Sequence, residues 1–286
     1  MEHHTDEPTE LAALAGPLPG TVLLDKYRVD WMLGAGGYGY VLKAQHLELG
    51  ESVAIKILRD DREADAQTLG RFEREGRLVA QLKSEHVARV LDVGKLPTGA
   101  PYMVMELLEG DDFGKLVKAG PLPVTLAVDY IMQACEALAE AHGHGIVHRD
   151  IKPGNLFLAK LPAKRSIVKV LDFGISKSAR HYDKRLTQTQ SILGTPAYMA
   201  PEQMRDARNV DYRADIWALG AVLYELVEGQ LPFDADNFAE LVIAVSTSPI
   251  RPPQLAPELR SVLERCLAKD VDDRFSTIAH LATALA

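Results

Sequence analysis

Three features of the chain could handle a phosphate group: a run of glycines, a lysine on an apolar strand and a glutamate on the inward stripe of a helix. Gly34-Ala35-Gly36-Gly37-Tyr38-Gly39 fits the pattern G-x-G-x-x-G, which dinucleotide-binding folds also use. In those folds a helix follows the glycines at once, so that its N-terminus faces the pyrophosphate. Here Tyr38, Tyr40, Leu42 and Ala44 recur at every second position instead, so a strand follows. A glycine loop between two strands is a flap whose backbone can close over phosphates; an ordinary glycine-rich turn is the plainer reading of the same letters. In Val53-Ala54-Ile55-Lys56, Ala54 and Lys56 share one strand face. A small apolar surface beside an amine suits a flat base next to a phosphate tail. Leu69, Phe72, Gly76 and Val79 mark the inward stripe of a helix, and Glu75 shares it whereas Glu73 is turned away. An inward carboxylate is costly unless paired. Lys56 is the natural partner, and the pair would hold the amine toward the α- and β-phosphates; a purely structural ion pair is the alternative.

Two further stretches carry acidic and amide oxygens, His148-Arg149-Asp150-Ile151-Lys152-Pro153-Gly154-Asn155 and Asp172-Phe173-Gly174. With these motifs the sequence resembles the eukaryotic-type (Hanks-type) protein kinases, in particular the bacterial serine/threonine kinases, from about Tyr27 to Ala286. The resemblance implies an enzyme that moves the γ-phosphoryl of ATP onto serine or threonine hydroxyls of proteins. Such transfer passes through a loose transition state, so the protein mainly positions groups and neutralises charge. On this resemblance Asp150 orients the incoming hydroxyl and takes its proton late. Lys152 contacts the γ-phosphate, and Lys56 with Glu75 serves the α- and β-phosphates. Asn155 and Asp172 are the metal ligands, oxygen donors of the kind that suit Mg²⁺, with Mn²⁺ as a substitute. Gly34, Gly36 and Gly39 cover the phosphates. Leu33, Val41, Ala54 and Phe157 sandwich adenine, the backbones of Glu106 and Leu108 bond it, Met105 stands behind it as gatekeeper, and Asp112 meets the ribose.

The same resemblance describes a switch. Asp172 to Glu202 spans an activation segment in which Thr187, Thr189 and Ser191 are candidate phosphate acceptors, with Arg149 as the partner for an added phosphate. Thr195 bonds Asp150 and Lys152. Asp215 receives backbone donors from the catalytic loop, Arg274 pairs Glu202, and His148 packs against Phe173. Two positions depart from the family: Gly154 replaces an acidic residue found where basic substrates are preferred, and Val271 stands where proline is common. A catalytically silent scaffold and a small-molecule phosphotransferase are the competing functions. His142, His144 and His148 could suggest zinc, but the flanking glycines and the lack of a nearby fourth ligand argue against it.

The elements that must position these groups follow from pattern. Residues 1–24, with Pro8, Gly16, Pro17, Pro19 and Gly20, read as a flexible lead-in. Alternating apolar runs begin at Tyr27, recur around Val90 to Val93 and end at Tyr102 to Glu106. Beyond Pro121 and Pro123 helices dominate. Leu126, Tyr130, Ala134, Leu138 and Ala141 mark a long amphipathic one, and Ala214 to Val227 is apolar on nearly every face, as in a helix buried all round. The expected architecture is α+β: a two-lobed kinase fold within residues 25–286, with a β-rich N-lobe of one main helix (about 25–106) and a mostly helical C-lobe (about 110–286).

Composition agrees with this class and excludes others. The chain of 286 residues is 47% hydrophobic and 25% charged, ordinary for a globular protein. A formal charge of −8 argues against nucleic acid as a partner. Cys135 and Cys266 sit in apolar helical patterns and read as buried free thiols. The N-terminus lacks the regions of a secretory signal, and no apolar stretch is long enough to span a membrane. A cytoplasmic location is expected, either of the chain alone or as the intracellular domain of a longer membrane-anchored kinase. Relatives also suggest a homodimer paired through the small lobe.

Overall fold

The computed structural model describes residues 17–36, 39–58, 66–173, 196–206 and 210–286. Gly37, Tyr38, Gly174, Thr187, Thr189, Ser191, Thr195 and the side chain of Leu69 lie outside them. The chain divides into two compact units, one of Met1–Gly76 with Arg89–Leu107 and one of Arg77–Ala88 with Leu108–Ala286.

The first unit is a six-stranded sheet built from β1 (Val22–Leu23), β2 (Tyr27–Gly36), β3 (Gly39–His46), β4 (Ser52–Leu58), β5 (Val90–Lys95) and β6 (Pro101–Glu106), in the order β1-β2-β3-β4-β6-β5. Every neighbouring pair is antiparallel, so short turns suffice between most strands. Val29, Leu42, Ala44, Val53, Ile55, Ile57 and Val104 bury one face as a single cluster with Tyr27 and Tyr102. The β-branched members suit a pleated surface packed on both neighbours. Gly39 is demanded by this packing, because a Cβ there would lie 2.1 Å from the carbonyl oxygen of Ile57. Helix α1 (Ala66–Val79) begins in this unit.

The second unit holds α2 (Phe113–Ala119), α3 (Val124–Gly143), α4 (Pro201–Arg205), α5 (Arg213–Glu228), α6 (Phe238–Thr247), α7 (Pro257–Cys266) and α8 (Ile278–Leu285). It also contains a three-stranded antiparallel sheet of β7 (Gly110–Asp112), β8 (Leu156–Lys160) and β9 (Ser166–Val170), which the periodicity did not suggest because the strands are short. Helix α3 buries Ala127, Ile131, Ala134, Leu138 and Ala141. The inward stripe in its first turns is therefore one residue later than expected: Leu126 is exposed, while Tyr130 leans on the ring of Phe113. Helix α5 is buried at every position from Ala214 to Leu226. It lies so near α7 that a Cβ on Gly220 would meet Cys266 Cβ at 2.5 Å. Cys135 and Cys266 are buried free thiols, and burial pushes the Cys135 thiol up to about 12, which keeps it protonated.

Candidate active site

Residues directly opposite in neighbouring strands project to the same face. In the first unit Val41, Lys56 and Met103 form one such row, and Lys43, Ala54 and Met105 the next. Val41, Ala54, Lys56 and Met105 thus share the face opposite the buried cluster of Leu42, Ile55 and Val104. Helix α1 presses on this face. A Cβ on Gly76 would lie 2.9 Å from Met103 Cε and 3.2 Å from the methyl carbons of Val93. Glu75, half-buried, is next in sequence to that point of closest approach.

In the glycine hairpin Gly34 faces Val41 and Gly36 faces Gly39. Unlike Gly39, neither Gly34 nor Gly36 would bring a Cβ within 4 Å of any described atom. Packing against the described atoms does not require glycine at these two positions. Leu33, 48% exposed, sits in the irregular register between Met32 and Gly34. The Glu106 N–H donates to the Arg89 carbonyl at 3.0 Å, and its carboxylate accepts from the Arg89 N–H at 2.8 Å.

In the second unit β7 and β8 place Asp112 opposite Phe157. Asp112 also caps α2, its Oδ1 accepting from the Lys115 N–H at 3.0 Å, which fixes the carboxylate at a helix start. Leu108 is half-buried just before β7.

Asp150, Lys152 and Asn155 converge. The Lys152 ammonium lies 3.0 Å from Asp150 Oδ2. Asn155 Nδ2 donates to the same oxygen at 3.1 Å and to the Asp150 carbonyl at 2.7 Å. Of the two ends of the asparagine amide only the NH₂ donates, so the Asn155 Oδ1 is turned away from Asp150. Strand pairing of Leu156 with Val170, and the Leu171 N–H donated to the Asn155 carbonyl at 2.9 Å, bring the backbone leading into Asp172, two residues beyond β9, against Asn155.

Two residues of this constellation carry left-handed backbone, Arg149 at φ 62° and Asp172 at φ 51°. Each costs on the order of 1 kcal/mol for a side chain with a Cβ, and Arg149 is clamped through its backbone. Asp215, with a fully buried carboxylate in the first turn of α5, accepts the N–H groups of His148 and Arg149, both at 2.8 Å. His142 Nε2 lies 2.9 Å from the same carboxylate. His144 instead engages the Glu140 carbonyl. Further along, Glu202 and Arg274 form a bidentate pair at 2.7 and 2.8 Å, and Tyr198 donates to Glu225 at 2.6 Å.

His148 packs on Phe173 with ring centroids 4.8 Å apart. The Asp150 N–H donates to its Nδ1 at 3.2 Å, so the proton is on Nε2, which donates to the Leu171 carbonyl at 2.8 Å. Burial holds its pKa below the usual imidazole value, against an opposing pull from Asp215. The unfolded chain takes this proton near pH 6.5 while the folded one stays neutral. The stability contributed is thus full above that pH and falls as pH drops toward the lowered folded value. Unfolding free energies of the parent, from urea titrations, should decline more steeply between pH 7 and pH 5 than those of His148→Gln, by up to about 1 kcal/mol per pH unit. Parallel slopes would show that the ring is not held neutral.

Sequence reasoning overlooked several anchors. Glu140 on α3 accepts the N–H groups of Lys83 and Ser84 at 2.8 and 2.7 Å. His86 bonds the Val168 carbonyl at 2.9 Å, and Gln203 bonds Arg149. No local pattern marks them, since each partner is distant in sequence.

A two-unit chain with this catalytic loop is the architecture of a protein kinase. The family model described as "Protein kinase domain" matches residues 27–285, and the chain belongs to that family. Among curated relatives, "Serine/threonine-protein kinase Pkn1" of Myxococcus xanthus is 39% identical over 276 residues, which cover 94% of this chain and 39% of that protein. "Serine/threonine-protein kinase PknB" of Mycolicibacterium smegmatis is 37% identical over 272 residues, 92% of this chain and 43% of that one. The solved kinase domain of Mycobacterium tuberculosis PknI superposes with a TM-score of 0.72 at 29% identity, covering 94% of this chain and 98% of that one. Within the family the chain resembles the bacterial serine/threonine kinases, the class to which both named relatives belong. It spans about two fifths of the length of the curated relatives, 39% and 43%. No described helix is long and apolar enough to cross a membrane.

Proposed function

We propose that this chain itself phosphorylates serine and threonine residues of proteins, with Asp150 as base and Lys56, Lys152, Asn155 and Asp172 as the groups that hold the triphosphate. The observation that carries the reading is the arrangement on Asp150. Two donors, Lys152 Nζ and Asn155 Nδ2, fix one carboxylate oxygen at 3.0 and 3.1 Å, which aims the carboxylate for an incoming hydroxyl. The acceptor hydroxyl bonds to Asp150 and its oxygen attacks the γ-phosphorus. The bond from that phosphorus to the β–γ bridging oxygen breaks, ADP departs, and the proton passes late to Asp150. Lys152 balances charge on the moving phosphoryl group, and Lys56, oriented by Glu75, balances it on the α- and β-phosphates.

The donor types fit a hard divalent ion: the Asn155 Oδ1 turned away from Asp150, and the carboxylate of Asp172, one residue beyond the Leu171–Asn155 backbone contact. Magnesium at these two ligands, or manganese in its place, would supply charge neutralisation on the β- and γ-oxygens. Gly34, Gly36 and Gly39 would cover the phosphates. Leu33, Val41, Ala54, Met105, Glu106, Leu108, Asp112 and Phe157 would take the nucleoside, a reading supported by the shared sheet face in one unit and the Asp112–Phe157 pairing in the other.

Incubation with [γ-³²P]ATP, magnesium and a generic basic protein should label the protein on serine or threonine. Nucleotide binding without transfer would make the chain a scaffold, and label confined to small molecules would make it a different phosphotransferase. Autophosphorylation at Thr187 or Thr189 should raise activity. Arg149 supports this: its Nη2 bonds the Val210 carbonyl at 3.2 Å, whereas its buried Nε has no hydrogen-bond partner among the described residues and could take a phosphate oxygen. Mass spectrometry of active protein with neither threonine modified would sink that part. The reaction is placed in the cytoplasm, where ATP is, with two copies pairing for trans-phosphorylation.

A further inference from the structure

We infer that Gln203 is a positioning residue for the catalytic base, acting through the backbone of Arg149. The proposal rests on the assignment of Asp150 above and extends it to a residue outside the catalytic loop. Gln203 lies in α4, is 8% exposed, and uses both ends of its amide. Its Oε1 accepts from the Ala200 N–H at 3.1 Å, and its Nε2 donates to the Arg149 carbonyl at 3.0 Å. The first contact is half of a capping box. The reciprocal half is missing, because Ala200 has no side-chain acceptor. The second contact does nothing for the helix.

What it does is close the clamp on Arg149. That residue has left-handed backbone at φ 62° and lacks the freedom of glycine there. Asp215 Oδ1 holds its N–H at 2.8 Å. Gln203 holds its carbonyl, which belongs to the peptide plane leading directly into Asp150. With the Arg149 carbonyl released, that plane is held only by the longer bond from the Asp150 N–H to His148 Nδ1 at 3.2 Å, and it can tilt toward an ordinary conformation and carry the carboxylate away from its two donors. Helix α4 is itself immobilised, because the neighbouring Glu202 is locked to Arg274. The tether therefore runs from a fixed point to the residue before the base.

The two amide ends can be separated by substitution. Gln203→Glu keeps the acceptor for Ala200 but replaces the donor with an oxygen that faces the Arg149 carbonyl. Gln203→Met keeps the volume and loses both contacts. Steady-state kinetics on the full chain, with a generic basic protein as acceptor, should show kcat lowered about tenfold in both variants. The KM for ATP should stay within about twofold of the parent, since the nucleotide contacts are elsewhere. The thermal midpoint of Gln203→Glu should fall by several degrees, since the carboxylate faces a buried carbonyl, so the kinetics are read at a temperature where circular dichroism shows both variants folded. A kcat for Gln203→Glu at the parent level, with only Gln203→Met impaired, would reduce the residue to a helix cap and overturn the inference. So would failure of both variants to fold, which would make Gln203 a folding residue. Asp150→Asn, run in parallel, keeps the two readings apart. If it retains parent activity, the assignment of the base fails. If it is inactive while Gln203→Glu matches the parent, only the positioning role fails.

Discussion

Asp172→Asn and Lys56→Met should each reduce phosphoryl transfer by about a hundredfold or more, the scale seen when a preorganised electrostatic group is removed. Both changes preserve shape. Asparagine keeps a side-chain carbonyl at position 172 but withdraws the negative charge that a divalent ion needs, leaving two neutral oxygen donors with Asn155. Methionine keeps the apolar stem in the row of Val41 and Met103 and removes only the ammonium. Neither change opens a cavity, so thermal midpoints should remain within a few degrees of the parent, and circular dichroism should be unchanged. Activity within about threefold of the parent in either variant would contradict the assigned role, since charge stabilisation of a phosphoryl group cannot be that small.

The largest loss of stability should come from Arg274→Leu. Arg274 is 2% exposed, and all its neighbours are arranged around its charge. It makes two bonds to the Glu202 carboxylate at 2.7 and 2.8 Å. It also donates to the carbonyls of Ala268 at 2.9 Å and Arg213 at 3.2 Å, and its guanidinium lies 4.9 Å from the Trp217 ring centroid. Leucine would leave a partly buried carboxylate and two carbonyls without their partner. Removing one member of such a pair costs about 3–5 kcal/mol, which corresponds to a fall of roughly 10 °C in thermal midpoint for a chain of this size. Glu202→Gln should cost less, because the amide retains one acceptor and leaves the guanidinium with its two carbonyls. Equal midpoints for Arg274→Leu and the parent would mean that the pair is not closed in solution.

The chemistry was readable where it is contiguous. Asp150, Lys152 and Asn155 lie within one short loop, so their convergence follows from local backbone once the loop forms. The alternation in β3 and β4 likewise revealed which side chains share a face with Lys56. Periodicity was weaker where elements are short or apolar all round. It missed β1 and the sheet of β7 to β9, and it misplaced the first turns of α3. There Leu126 looked as fit for burial as Ala127, and only the neighbouring elements decided between them. The division of the chain differs too, since residues 77–88 group with the second unit although they precede the last two strands of the first.

The amino-acid order by itself determined the class of protein, the chemistry of its loops and the strand face that carries the lysine, because each of these is encoded within a few residues. The tertiary structure decided how the loop is held: the Asp215 and Arg274 contacts were expectations from the family resemblance, and the Gln203 contact was not foreseen at all. The Gln203–Arg149 contact spans 54 positions, Asp215 to Arg149 spans 66, and Arg274 to Glu202 spans 72. A hydrogen bond between such distant groups leaves no period or spacing in the sequence; it exists only after burial brings the two donors and acceptors together and makes leaving either unpaired costly.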